Sequence, residues 1–166
     1  IVRLFNTVGP RQTGRYGMVI PRFVSQALKN EPITIFGDGK QTRTFTHVEE
    51  VVQAIIKLMD SPKAIGQVVN IGGVEEVSMI ELAERIRTMT NSKSELKIIP
   101  YNEAYPSDFE DMKRRVPSTV KLKSLTGFAP TLQLTSILKD VIQFMEAQPK
   151  VAAQSMGPKS TTNLTH

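Results

Sequence analysis

Pro32 to Val48 is the segment that most narrows what this chain can become. Ile33-Thr34-Ile35-Phe36 is β-branched and aromatic, and Gly37-Asp38-Gly39 stops it. A second run of the same character, Thr42 to Thr46, carries a single arginine, Arg43. Thr46-His47-Val48-Glu49 then has the spacing of a capping box, with the threonine as cap and the glutamate reaching back. The pattern beyond it predicts a helix from Val48 to Met59, with Val51, Val52, Ile55, Ile56 and Met59 inward. Strand, tight turn, strand and helix in direct succession predict a mixed α/β chain. They also set an aromatic ring and a guanidinium close to one turn, an arrangement suited to a planar base and a phosphate.

The flanking segments repeat this alternation. Ile1 to Phe5 reads as a buried-type strand, followed by a loop rich in turn formers from Asn6 to Gly17. Met18 to Lys29 reads as a helix with Pro21 in its first turn and Phe23, Val24, Ala27 and Leu28 on one face. Val68 to Ile71 reads as a strand stopped by Gly72-Gly73. Ser78-Met79-Ile80-Glu81 is a second capping box and opens a helix to Thr90. Leu96 to Ile99 is a strand ended by Pro100, and Tyr101 to Val116 is polar and irregular. Val120 to Leu125 is a short helix closed by Gly127, and Leu134 to Met145 is the last helix. The expected organisation is one unit over residues 1–147 and a mobile polar tail over residues 148–166. A strand entered from the first residue needs neighbours. The chain is therefore expected to be the C-terminal part of a longer protein.

Composition excludes several chemistries. The 166 residues contain no cysteine and two histidines, so disulfides, thiolate metal sites and a histidine metal centre are not expected. No apolar run approaches the ~20 residues of a membrane span. The net charge of +5 is spread along the chain, which favours anionic small molecules, with a nucleic-acid groove as the alternative. There is no P-loop, no HExxH and no glycine fingerprint for a dinucleotide, and no tyrosine is followed by lysine at the fourth position. No catalytic residue is assigned. His47, beside a helix start, reads as structural.

Binding residues are better marked. Arg43 in an apolar strand needs a partner: a phosphate, or a salt bridge to Asp38 or Glu49. Phe36 can stack on a base or serve in the core. Asn6, at a strand end, points into a cleft or caps the turn. Asn70, inside an apolar strand, must be satisfied or meet a ligand. Arg114 and Arg115 form a clamp or a solvated charge run.

Arg3-Leu4-Phe5-Asn6-Thr7-Val8-Gly9-Pro10-Arg11, Val19-Ile20-Pro21-Arg22-Phe23, Ile33 through Val48, Asn70-Ile71-Gly72-Gly73 and Asp111 to Pro117 together resemble one family. It is the extended short-chain dehydrogenase/reductases of the NAD-dependent epimerase/dehydratase type, which act on nucleotide sugars and include UDP-glucose 4-epimerase and UDP-glucuronate decarboxylase. The resemblance implies an α/β fold: a late strand of a Rossmann sheet plus the small mixed α/β substrate-binding lobe. It implies NAD, bound mainly upstream of Ile1, where the family's Y-x-x-x-K would also lie. Carried onto this chain, it assigns Asn6, Val19, Arg43 and Arg115 to the diphosphate or sugar, with Arg114 fitting nearly as well as Arg115. Ile35 and Phe36 fall to the base, Asn70 to a polar contact, and Gly9 and Pro10 to the turn over the nicotinamide. It implies a UDP-linked substrate, a cytoplasmic homodimeric parent closest to a 4-epimerase, and no nucleic-acid or membrane partner. These residues alone are then expected to be inactive. The alternative is a non-catalytic nucleotide-sugar binding module.

Overall fold

Short strands that cannot stand alone are paired here with strands distant in sequence, and amphipathic helices cover them. The computed structural model describes residues 1–12, 18–104 and 111–148. The expected tail falls outside these residues except for Gln148. In chain order the elements are β1 (Val2–Leu4), β2 (Thr7–Val8), α1 (Val19–Leu28), β3 (Ile33–Phe36), β4 (Thr42–Thr44) and β5 (Thr46–His47). Then come α2 (Val48–Met59), a single 3-10 turn (Pro62–Ala64), β6 (Val69–Ile71), β7 (Glu76–Ser78), α3 (Met79–Met89) and β8 (Leu96–Ile99). The last are α4 (Tyr101–Ala104), β9 (Arg114–Arg115), α5 (Val120–Thr126) and α6 (Leu134–Ala147).

β1 pairs in parallel with β6, β2 with β5, and β3 with β8. β4 is the middle of a three-stranded sheet, antiparallel to β7 and parallel to β9. The two strands flanking Gly37-Asp38-Gly39 therefore do not form a hairpin. Positive φ angles of 77° and 71° at Gly37 and Gly39 turn the chain from one sheet into another.

Two apolar clusters hold these pieces. The larger packs Phe23 and Val24 of α1, Ile33 and Ile35 of β3, Leu82 and Ile86 of α3 and Ile137 and Leu138 of α6. The smaller sets Val51, Ala54 and Leu58 of α2 against Val69 and Ile71 of β6 and Leu122 of α5. The Ser78 capping box forms as expected: Ser78 Oγ accepts from the Glu81 amide at 3.2 Å, and Glu81 Oε2 accepts from the Ser78 amide at 3.0 Å.

Several expectations are corrected. β1 is not buried: Val2, Arg3 and Leu4 are all exposed, with β6 pairing one edge. The run Thr42 to Thr46 is broken at Phe45 into two strands with different partners. The cap of α2 is His47, whose Nδ1 accepts from the Glu49 amide at 3.3 Å. Thr46 does not serve, because its hydroxyl donates to the Phe5 carbonyl at 3.3 Å. α2 has the expected bounds and part of the expected face, since Val51 is buried and Ile55 packs against the same cluster. It buries Val51, Ala54 and Leu58, leaving Val52, Ile56 and Met59 49%, 53% and 81% exposed. Within Tyr101 to Val116 the chain is more regular than expected, since β4 lends Arg114–Arg115 a strand partner.

Candidate functional site

Local structure brings four elements to one cleft. β3 ends at Phe36, α1 begins at Val19, the β1–β2 link bends at Asn6, and β4 presents Arg43. Asn6, Val19, Ile35, Phe36 and Arg43 all line this cleft of about 200 Å³, together with Arg22, Phe23, Gln41, Phe45, Met79, Tyr101 and Asp111. Five of the seven substrate residues expected from the sequence thus meet in one place.

Each is held by its own local chemistry. Asn6 has φ of 38°, a conformation that asparagine tolerates, and its Nδ2 donates to the Thr44 carbonyl at 2.8 Å. That bond ties the bend to β4. α1 starts at the cleft with an extended Met18 before it, no side-chain cap and no acidic residue in its first turn. Its positive end therefore has no side-chain cap or first-turn carboxylate among the described residues, a setting that favours an anion. Phe36 carries the Arg22 guanidinium 4.4 Å from its ring centroid, and Arg22 Nη2 also donates to the Thr34 carbonyl at 3.2 Å.

Arg43 is neither free nor paired as expected. Its side chain is 12% exposed, and its ion-pair partner is Asp111 at 2.6 Å rather than Asp38 or Glu49. Nη1 donates to the carbonyls of Thr42 and Met112, both at 2.8 Å. The Tyr101 hydroxyl donates to the other Asp111 oxygen at 2.7 Å and accepts from Gln41 Nε2 at 2.9 Å.

The remaining expected residues stand apart. Asn70 lies in β6, opposite Arg3 in register, and its Nδ2 reaches the Ser118 carbonyl at 3.5 Å; it does not line the cleft. Arg115 is the register partner of Arg43 across β4 and β9, with its guanidinium 5.4 Å from the Phe5 ring centroid. Arg114 is committed elsewhere, donating to both Glu76 oxygens at 2.9 and 2.8 Å. Hydrogen bonds from Arg114 and from Thr42 hold the Glu76 carboxyl below its ordinary range. Gly9 and Pro10 sit in a turn closed by the Gln12 amide on the Gly9 carbonyl at 3.3 Å, off the cleft. A Cβ at Gly9 would stand 2.5 Å from Val48 Cγ1, so packing against α2 already requires glycine there without a cofactor. His47 is 2% exposed and lies under this turn, 3.6 Å from Asp140 on α6. Among the described residues no group of three His, Asp or Glu is placed to hold a metal, and no helix is long and apolar enough to cross a membrane.

Gln41, Tyr101 and Asp111 escaped the sequence reading, and so did a role for Arg22. Gln41 sits two positions before Arg43, on the same side of an extended chain, which is a usable signal. Asp111 and Tyr101 reach the cleft only through tertiary folding.

Residues 1–72 match the model of the NAD dependent epimerase/dehydratase family. The UDP-N-acetyl-alpha-D-glucosaminuronate decarboxylase of Bacillus cytotoxicus is 42% identical over 145 residues, covering 87% of this chain and 45% of that protein. The chain belongs to the NAD-dependent epimerase/dehydratase family. A second family member, UDP-glucuronic acid decarboxylase 1 of Danio rerio, is 34% identical over 148 residues, 89% of this chain and 34% of that protein. The chain thus spans less than half the length of these curated relatives.

Solved structures of the family agree with the fold. The UDP-glucuronic acid 4-epimerase from Bacillus cereus, in complex with UDP-glucuronic acid and NAD, superposes with a TM-score of 0.76 at 28% identity, over 88% of this chain and 44% of that one. The epimerase Mth375 from Methanothermobacter thermautotrophicus gives 0.79 at 29% identity, over 87% and 42%. The parallel strand pairs and covering helices are those of the extended short-chain dehydrogenase/reductases of this epimerase/dehydratase family.

Proposed function

We propose that the cleft at Arg43 binds the nucleoside diphosphate of a UDP-linked sugar, as the substrate site of an NAD-dependent epimerase or decarboxylase. The observation that carries this is the convergence of Asn6, Val19, Ile35, Phe36 and Arg43 from four separate elements onto one cleft. Ile35 and Phe36 hold the base, with Arg22 already stacked on the Phe36 ring. The open start of α1 and the fork of Arg43 receive phosphate oxygens. Arg115 is the better candidate of its pair for a second phosphate contact, since Glu76 occupies Arg114. Asn70 contributes a polar contact from β6, outside the cleft.

NAD would supply and take back a hydride at the sugar. Gly9 and Pro10 are assigned to the flank of its nicotinamide end. These residues contain neither a glycine-rich dinucleotide turn nor a tyrosine–lysine base, so produced alone they are inactive. The names of the curated relatives favour decarboxylation of a UDP-hexuronic acid over 4-epimerisation of a neutral UDP-sugar.

Two measurements on the complete protein test this. In calorimetry, UDP binds and Arg43→Ala weakens it by about 1–3 kcal/mol, the scale of a lost charged hydrogen-bond partner. Unchanged affinity rejects the phosphate role. With UDP-glucuronate or its N-acetylated analogue as substrate, release of CO₂ is expected. Formation of a 4-epimer without CO₂ restores the epimerase reading, and binding without any turnover restores the binding-module reading.

A further inference from the structure

Arg43, the cation on which the proposed nucleotide site depends, is already neutralised from within the chain. Asp111 Oδ1 takes its Nη2 at 2.6 Å, in a setting where the two side chains are 12% and 27% exposed. Asp111 is itself braced. Its second oxygen accepts from Tyr101, and Gln41 ties Tyr101 to the Phe36 carbonyl through bonds of 2.9 and 2.8 Å from one Nε2. The Tyr101 ring lies directly over Gly37, where any Cβ would collide with it.

Gln41, Tyr101 and Asp111 also line a neighbouring cavity of about 1010 Å³, which Lys40, Lys113 and Ile98 help to bound. They are therefore the wall between the two spaces. The inner cleft, about 200 Å³, is smaller than the ~300–1,000 Å³ typical of sites that enclose a ligand of this class. Moving the wall would join the two spaces.

We infer that Asp111 is an internal counter-ion that holds the site shut, and that a nucleoside diphosphate enters by displacing it from Arg43. Charge favours displacement over coexistence. A phosphate arriving at Arg43 would meet a carboxylate in contact with the same guanidinium, and like charges in a half-buried cleft repel strongly. Lys40 and Lys113, on the far side, offer the released carboxylate cationic company. Asp111 thus sets how much binding energy a ligand must bring before the cleft opens, which a neutral nucleoside lacks. This inference rests on the nucleotide reading above.

The test is calorimetric titration of the complete protein with UDP. Asp111→Asn keeps the shape and removes the charge, and it tightens UDP by about tenfold, on the scale of one charged hydrogen bond released. Tyr101→Phe removes one brace and tightens UDP by a smaller factor. In an Arg43→Ala background, Asp111→Asn tightens UDP by a smaller factor, since it then relieves repulsion alone and not competition for the guanidinium. Weaker or unchanged UDP binding in a normally melting Asp111→Asn protein overturns the inference, since it makes Asp111 an orienting group for Arg43. Where Asp111→Asn melts early, Tyr101→Phe decides by the same sign. An Arg43→Ala protein that binds UDP as well as its parent overturns the nucleotide reading instead.

Discussion

Replacing Glu75 by glutamine should loosen α6 from the rest of the domain in a pH-dependent way. Glu75 Oε2 accepts from the Leu134 amide at 2.9 Å, at the very start of α6, while Oε1 pairs with Arg85. Burial pushes the Glu75 carboxyl up. The hydrogen bond from Arg85, that from the Leu134 amide and the Arg85 charge outweigh it, so the folded carboxyl titrates below its ordinary value of 4.5. The hydrogen bond from Arg85 is the largest of these lowering causes, and since the glutamate and arginine side chains are 25% and 39% exposed, solvent screens part of it. A charged hydrogen bond of ~1.5–3 kcal/mol, discounted for that exposure, leaves about 1–2 kcal/mol. For a domain of ~150–250 residues that is a fall in melting temperature of about 2–8 °C, and proportionately less in a longer complete protein. The sign follows from linkage. A depressed folded value gives stability that is fully present above 4.5 and is lost as pH falls through the folded value. Thermal melts of the complete parent protein and Glu75→Gln should therefore differ by a constant amount near neutrality and converge in acid. A gap of equal size at roughly pH 7 and pH 3 would show that shape, not charge, holds α6, and would refute the reasoning.

Arg115→Ala should weaken UDP binding by about 1–3 kcal/mol, whereas Arg114→Ala, whose guanidinium belongs to Glu76, should leave it within error in the same titration. Gly73→Ala places a Cβ against the Phe45 carbonyl, backbone that cannot yield, and Phe45 lines the cleft. A destabilisation of about 1–3 kcal/mol or more in denaturant melts is expected, and an alanine variant as stable as the parent would contradict that packing. Val52, Ile56 and Met59 are exposed along α2, as are Val2 and Leu4 on β1. The 166 residues produced alone should therefore self-associate in sedimentation, and a monodisperse monomer would count against an unsatisfied apolar face.

How far the sequence could be read depended on the range of the contacts involved. The Ser78–Glu81 box was readable because both partners lie within one helical turn. The Thr46 box had the same spacing and slipped by one residue, because Thr46 answers to Phe5, 41 positions away. The helical period of α2 was readable, but not which of two apolar stripes faces inward. Ala54 and Leu58 won because β6 and α5 lie on that side. The five cleft residues were reached through resemblance and local pattern together. Asp111 and Tyr101 were not, since nothing in a polar irregular segment announces that it will close over an arginine on β4.

The position of β4 has a kinetic consequence. Arg43 is oriented by Asp111 and Met112, 68 and 69 residues further along the chain, and β4 needs β9 on one edge and β7 on the other. Contacts of such separation pay their loop-closure entropy late. The guanidinium should therefore reach its final orientation only after the helices have packed, and the Thr42 amide, held by the Lys113 carbonyl at 2.8 Å, is the place to watch it. Its hydrogen-exchange protection should appear late in refolding, after that of the helix amides.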